Sequence, residues 1–376
     1  MLDVVVLGPT PGAAGGIGVM AGYLASTSSN RTHVTFVDSG GSPGTKVGRL
    51  RAAAAAVRRC LARETGPTVY VLSVASNGSA WRKTVLSLLL RLRGKPYVLH
   101  LHGAGFVTFY RGLPGVLKRV VRSMFTSAAG VMVLGQVWAD FVRSDLGVAP
   151  DRVRIVANAV PGPQRLPDRT GPVNVLFAGR VGSRKGVPEL LQAWQQLNTA
   201  GQAQLLLAGD LEDPSGNIGR TLRATEDVEL LGWVSPEDLT AQMACSSVLV
   251  LPSHAENLPL SLLEGMAWGL APVVTPVGAV PEVISHDVNG LVTPVGDADA
   301  LESALRRVVF DRPARIRTGA EARRTWEQSY SLTQYRPNFD DAVEVAFQKH
   351  ARAREPMRCA VNPTRWFRAG RSGGKS

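Results

Sequence analysis

The chain has 376 residues, enough for about two domains at the usual ~100–200 residues each, and at 45% hydrophobic and 19% charged it excludes wholesale disorder. The net charge of +12 is unevenly placed: residues 1–165 carry 20 Lys+Arg against 6 Asp+Glu, residues 166–350 carry 15 against 23, and residues 351–376 carry 7 against 1, which implies an anionic partner for the first part. Cys60, Cys245 and Cys359 lack CxxC or Cys/His spacing, which excludes a disulfide framework or a zinc site and fits a reducing cytosol.

In chain order, short apolar runs read as strands at Asp3–Leu7, Thr32–Val37, Thr68–Leu72, Tyr97–Leu101, Gly130–Leu134 and Arg154–Ala157. Longer amphipathic segments such as Val47–Arg63 separate them. A Pro/Gly-rich linker, Pro161–Pro172, follows. Strands then resume at Val173–Ala178, Gln204–Ala208, Val228–Leu230, Val248–Leu251 and Val273–Thr275. Continuous apolar strands alternating with helices signal parallel sheets covered on both faces. The expected architecture is α/β, with two Rossmann-like domains, residues 1–165 and 166–330, around a central cleft. The Arg- and Gly-rich stretch 351–376 is expected to be disordered. No charged leader or cleavage site precedes the first strand, and the longest apolar run, near Val85–Leu92, is well short of the ~20 residues of a membrane span. A soluble or peripheral, cytoplasmic protein is expected.

Four segments carry chemistry. Gly15-Gly16-Ile17-Gly18 follows the first strand and precedes a helix expected near Val19. Glycines there allow close backbone approach, and a helix N-terminus offers free N–H groups to a phosphate. A plain tight turn is the alternative. A dinucleotide site is another, because Asp38 ends the second strand, but Gly12, Gly15, Gly16 and Gly18 do not fit GxGxxG. His100-Leu101-His102-Gly103 ends the fourth strand at the cleft mouth, where an imidazole can bond a sugar hydroxyl or merely pack. Gly179-Arg180-Val181-Gly182-Ser183-Arg184-Lys185-Gly186 follows the first strand of the second half, and two fixed cations there suit a diphosphate. Glu256-Asn257-Leu258-Pro259-Leu260-Ser261-Leu262-Leu263-Glu264 runs into a helix expected to start near Pro259. Its two carboxylates beside free N–H groups can hold sugar hydroxyls at one end and a ribose at the other.

Together GGxG, HLHG, GRxxxxKG, LAGD (Leu207–Asp210), LGW (Leu231–Trp233), ExxPxxxxE and PVGAVPEVI…NGLV resemble the retaining family 4 of the GT-B glycosyltransferases, over nearly all of residues 1–350. The resemblance implies a GT-B fold, a nucleotide-sugar donor, no essential metal or other cofactor, retention of configuration, and last helices (331–350) that cross back to the first domain. It implies that Gly16 and Gly18 present backbone to the diphosphate, that His102 sits by the transferred sugar, and that Arg180 and Lys185 hold the diphosphate. Glu256 with the backbone of Asn257 and Leu258, ahead of Pro259, would grip the sugar, Glu264 the ribose, and the loop at Trp233 the base. Two departures are Asn257, where many members have Gly, and Asn158-Ala159-Val160, where NGV is common.

Asp297-Ala298-Asp299 mimics a metal-binding DxD, but its place after Gly296 at the start of a helical run reads as an N-cap. A nicotinamide dehydrogenase leaves the second half's cations and glutamates unexplained. A sugar-nucleotide epimerase and a non-catalytic sugar-nucleotide-binding protein share the architecture. Nucleic acid is disfavoured by the low aromatic content of 6%. Trp81–Lys95 and Phe109–Phe125 interleave cations with leucines and valines, which reads either as core-packed helices with solvated basic faces or as contacts to an anionic membrane surface that would place the cleft over a lipid-linked acceptor; a saccharide acceptor is the other expectation.

Overall fold

The computed structural model describes residues 1–40, 45–169 and 171–359, with side chains to residue 353. The first sheet contains β1 (Leu2–Gly8), β2 (Thr32–Asp38), β3 (Thr68–Val74), β4 (Tyr97–Leu101), β5 (Gly130–Val133) and β6 (Val153–Ile155), in the order β2-β1-β3-β4-β5-β6. Helices α1 (Gly16–Ser26), α2 (Lys46–Leu61), α3 (Gly78–Leu92), α4 (Phe106–Arg111), α5 (Gly115–Thr126) and α6 (Gln136–Ser144) connect its strands. The second sheet contains β7 (Val173–Ala178), β8 (Ala203–Ala208), β9 (Val228–Gly232), β10 (Val248–Leu251), β11 (Ala271–Val274) and β12 (Leu291–Val292), in the order β12-β11-β10-β7-β8-β9. Its helices are α7 (Val187–Leu197), α8 (Asn217–Arg223), α9 (Pro236–Cys245), α10 (Leu260–Ala267), α11 (Val280–Val283), α12 (Ala298–Phe310) and α13 (Arg312–Ser329), followed by α14 (Leu332–Cys359).

All strand pairs are parallel, so burial on both faces dictates the strand sequences. Central β3, TVYVLSV, is buried at every position, whereas edge strand β2 exposes His33 and Thr35. In each sheet the chain starts in the middle and winds first to one side, then to the other. The reversals fall between β1 and β3 and between β7 and β10. Crevices at the carboxyl ends of strands open at such reversals. They coincide with the glycine segment after β1, the cation loop after β7 and the Glu256 loop after β10.

The last helix returns to the first sheet. Tyr335, Phe339, Val343 and Ala346 of α14 form one buried cluster with Val4, Val69, Val98 and Met132. Arg336 and Asp340 are buried in that contact, their charges paired at 3.0 Å. Arg336 also donates to the Thr32 carbonyl (2.9 Å), while Thr32 and Ser29 donate to Asp340 (2.6 Å each). An ion pair is tolerable in such a place only because its remaining donors and acceptors are bonded.

Several boundaries differ from expectation. Helix α1 begins at Gly16 rather than near Val19. Pro259 is the N-cap of α10, not its first residue, because its ψ of 132° is extended. Strand β6 stops at Ile155, and β11 begins at Ala271 and runs through Pro272, ahead of the expected start at Val273. The two-residue β12 is too short to show a pattern. Residues 351–359, expected in a disordered tail, continue α14; Ala351, Arg352 and Ala353 are strong helix formers. The rest of that tail, 360–376, lies outside the described residues.

Candidate active site

The cation loop and the Glu256 loop touch because a glycine lets them. Gly186 has φ +71°, and a Cβ there would lie 1.9 Å from the Pro252 carbonyl oxygen. The close approach is reinforced by His254 N–H donating to the Arg184 carbonyl (2.9 Å) and the Arg184 guanidinium donating to the Ala255 carbonyl (2.8 Å). It sets the Lys185 ammonium directly on Glu256 Oε1, with the two side chains 12% and 11% exposed. The Ser253 hydroxyl donates to the same oxygen at 3.0 Å. Arg180, two thirds exposed, lies 3.8 Å from Glu212. A cation and a carboxylate therefore sit side by side at the reversal between β7 and β10, and Arg180 stands free to swing.

Two helix starts face each other beside this pair. The first turns of α1 and α10 contain no acidic residue, and neither N-cap side chain accepts a hydrogen bond. Leu260 of α10 lies 3.7 Å from where a Gly16 Cβ would be, so the α1 start from the first sheet meets the α10 start from the second. Their unopposed N–H groups and dipoles favour an anion. Gly18 serves its own loop: a Cβ there would fall 2.0 Å from the Ala13 carbonyl oxygen. Further along α10, Glu264 accepts a 3.1 Å bond from the hydroxyl of Tyr23 on α1. Burial raises the Glu264 pKa, and the Tyr23 hydroxyl bond only partly opposes that. The Tyr23 hydroxyl is likewise pushed up, by burial and then by the carboxylate beside it.

The β4 end closes the third side. His102 N–H donates to the Val74 carbonyl (2.9 Å), which fixes the loop that leaves the sheet. Burial pushes His102 down to about 4, and burial together with the neighbouring His102 holds His100 well below the usual range. The rings lie 3.9 Å apart and both are neutral at neutral pH, so His102 can hydrogen-bond but is not a proton source there. From the facing loop, the Asn257 amide points at the Leu101 carbonyl (3.5 Å), and Asn158 donates to the Leu258 carbonyl (2.8 Å). Asn158 therefore holds the Glu256 loop directly.

Comparison with known proteins gives the family. The family described as Glycosyl transferases group 1 matches residues 172–311, and the Glycosyl transferase 4-like domain matches residues 2–159, so the two cover both sheets. The chain belongs to the group 1 glycosyltransferases. It is 27% identical over 303 residues to an alpha-D-kanosaminyltransferase of Streptomyces kanamyceticus, covering 73% of this chain and 76% of that protein. It is 30% identical over 213 residues to an MMP alpha-(1->4)-mannosyltransferase of Mycolicibacterium hassiacum, covering 55% and 50%. Among solved structures, Anabaena HepE in complex with UDP and glucose superposes with a TM-score of 0.70 at 16% identity, over 91% of this chain and 99% of that one. The apo lipopolysaccharide outer core galactosyltransferase WaaB gives 0.64 at 18%, over 92% and 99%. These neighbours establish the GT-B fold.

In this glycosyltransferase Lys185 pairs with Glu256, Gly16 meets Leu260, Glu264 bonds Tyr23, Leu258 is held by Asn158, and Asn257 reaches Leu101 beside His102. Trp233 stands 72% exposed just past β9, at the carboxyl end of that strand. Asp297 N-caps α12 by accepting from Ala300 N–H (2.9 Å), and Asp299 accepts from Gln196 (3.0 Å). Asp38 accepts from Gly40 N–H (2.9 Å), turned into its own loop. Tyr23, Ser253 and Glu282 were not read as functional. A signal existed for Tyr23, which lies seven residues, or two helical turns, after Gly16 and so on the same face.

Proposed function

We propose that this glycosyltransferase retains anomeric configuration, taking a sugar from a nucleoside diphosphate donor to a lipid-linked or saccharide acceptor beside an anionic membrane. The observation that carries the reading is the Lys185–Glu256 pair set against the converging starts of α1 and α10. The donor diphosphate would take up Lys185, Arg180 and the free N–H groups at Gly16 and Leu260. Glu256, released from Lys185, would accept from sugar hydroxyls together with the Asn257 and Leu258 backbone. Glu264 would accept from the ribose hydroxyls and Trp233 would cover the base. Neutral His102 would bond a hydroxyl of the transferred sugar.

In the chemical step the bond from the anomeric carbon to the diphosphate oxygen breaks as the acceptor oxygen bonds to that carbon from the same face. The acceptor proton passes to the departing phosphate oxygen. Charge grows on the leaving group, and fixed cations and helix dipoles there lower the barrier more than they stabilise the bound donor. The test is a panel of UDP- and GDP-sugars incubated with lipid-linked and saccharide acceptors. HepE was solved with UDP, so UDP-sugars come first. The product's anomeric proton coupling should match the donor's configuration. An inverted product rejects the retaining reading, and isomerised donor without transfer would mean an epimerase.

The membrane part rests on α3 and α5, which pack side by side. Val85, Leu88 and Leu92 of α3 and Val116, Leu117 and Val120 of α5 are exposed, among Arg91, Arg93, Lys118, Arg119 and Arg122. Lys83, expected in this cationic face, is instead buried and donates to Ser39, and burial lowers it to about 7. Leu86, Leu90 and Val121 also face the core. The remaining cations over exposed apolar side chains fit an anionic leaflet, such as the inner face of the cell membrane, each nearby charge contributing about 1 kcal/mol. Among the described residues no helix is long and apolar enough to cross a membrane. Co-sedimentation with vesicles should rise with anionic lipid, fall with salt, and drop when Lys118, Arg119 and Arg122 become Gln. Equal recovery with neutral and anionic vesicles would show that the charge serves another partner.

A further inference from the structure

Glu282 belongs to the second sheet's half of the molecule, yet its carboxylate is bonded to the first. It precedes the end of α11, and its Oε2 and Oε1 accept from the backbone N–H groups of Gln136 (2.6 Å) and Val137 (2.9 Å). These are the opening residues of α6, whose N-cap side is Gly135 and therefore has no side chain to cap the helix. An anionic carboxylate on two unsatisfied N–H groups at a helix start is a favourable pairing through both hydrogen bonds and dipole. The fit is close. A Cβ on Gly135 would lie 2.6 Å from the Ala279 Cβ and 2.9 Å from both Glu282 carboxylate oxygens.

The same segment holds the Glu256 loop. Ala279 N–H donates to the Asn257 carbonyl (2.8 Å), and Gly278, at φ +58°, leaves room where a Cβ would meet the Glu256 carbonyl oxygen at 2.3 Å. A short rigid path therefore runs from the Glu256–Asn257 backbone through Gly278 and Ala279 to Glu282, and across the cleft to α6. Glu282, Gln136 and Val137 are exposed, so water can replace the contact when the halves part. A buried contact would hold the cleft shut, whereas this one can open.

We propose that Glu282 is the latch of cleft closure: it holds α6 against the second half and makes the closed state depend on the position of the Glu256 loop. Its coupling to the donor, though not the contact itself, presupposes the donor site proposed above. Glu282 touches no substrate in this scheme and is a positioning residue. When only a fraction of the enzyme is closed, apparent donor affinity falls by that fraction. Loss of the latch should therefore raise the donor KM and lower kcat/KM, by about 5- to 20-fold for a coupling of ordinary size.

The experiment uses the full chain and three variants, Glu282→Ala, Glu282→Gln and Gly135→Ala. Amide hydrogen exchange at Gln136 and Val137 is followed with and without UDP or GDP, beside the radius of gyration by X-ray scattering and the steady-state kinetics. Wild type should contract with nucleotide and protect both amides. Glu282→Ala should lose that protection and contract less. Glu282→Gln should recover part of both, because its amide oxygen can accept one N–H. Gly135→Ala should reproduce the alanine defect from the opposite side by wedging the contact. Wild-type exchange, contraction and KM in Glu282→Ala and Gly135→Ala would overturn the latch. Altered exchange and contraction with no turnover of any nucleotide sugar in the wild type would leave the latch standing and reject the donor reading instead.

Discussion

Replacing Lys185 by alanine should cut turnover about 10²- to 10³-fold while the protein stays folded. Lys185 is nearly buried on Glu256, so in the proposed site its loss would remove the cation for the leaving diphosphate and also leave a carboxylate unneutralised. Arg180→Ala should fall less, by about 10- to 10²-fold, because Arg180 is two thirds exposed and must move to reach the diphosphate. The two glutamate neighbours make the cycle informative. A Lys185→Ala/Glu256→Ala double mutant should lose less than the product of the single losses, as directly interacting groups do. Steady-state turnover against circular dichroism and thermal melts checks this. Near-wild-type turnover in both cation variants removes the diphosphate assignment.

Glu256→Ala and Glu264→Ala should fail in different ways. In the proposed donor site Glu256 would lie where the sugar reacts, so its loss should lower kcat by about 10²-fold or more with a modest change in KM. Glu264 lies along α10 against Tyr23, remote from bond breaking, so its loss should raise the donor KM and spare kcat. Tyr23→Phe should resemble a mild Glu264 defect, because it removes the hydroxyl that holds the carboxylate. Full kinetics for each variant with a saturating acceptor decide the matter, and the same defect in both glutamate variants contradicts the division of roles.

Much of the architecture was legible because parallel strands announce themselves. Tyr97–Leu101, Val173–Ala178 and Val248–Leu251 agree at both ends with the apolar runs that mark them. Leu291–Val292 was not legible, since two residues carry no period, and Pro272 misplaced the start of β11 because a proline reads as punctuation before it reads as a strand. The site was legible as loops at strand ends, and less so as contacts. Spacing alone does not show that Lys185 would neutralise Glu256, because that depends on Gly186 admitting the Pro252 carbonyl. Nor does it show Tyr23 on Glu264, a pair 241 residues apart, or Glu282 on α6. The basic stretch Trp81–Lys95 shows the same limit: composition counted Lys83 with its neighbours, and helical phase turned it inward.

The return of α14 to the first sheet bears on how the chain is made. Arg336 bonds a carbonyl 304 residues earlier, and the apolar side chains of Val4, Val69, Val98 and Met132 wait for Phe339 and Val343 to cover them. A ribosome delivers those strands long before their cover. During synthesis that side of the sheet has only Met20 and Leu24 of α1 to cover it, and such a surface invites association with other nascent chains. Elongation speed and chaperone capture should thus matter more to the yield of this protein than the stability of its finished state. The first sheet is made before the second and finished after it.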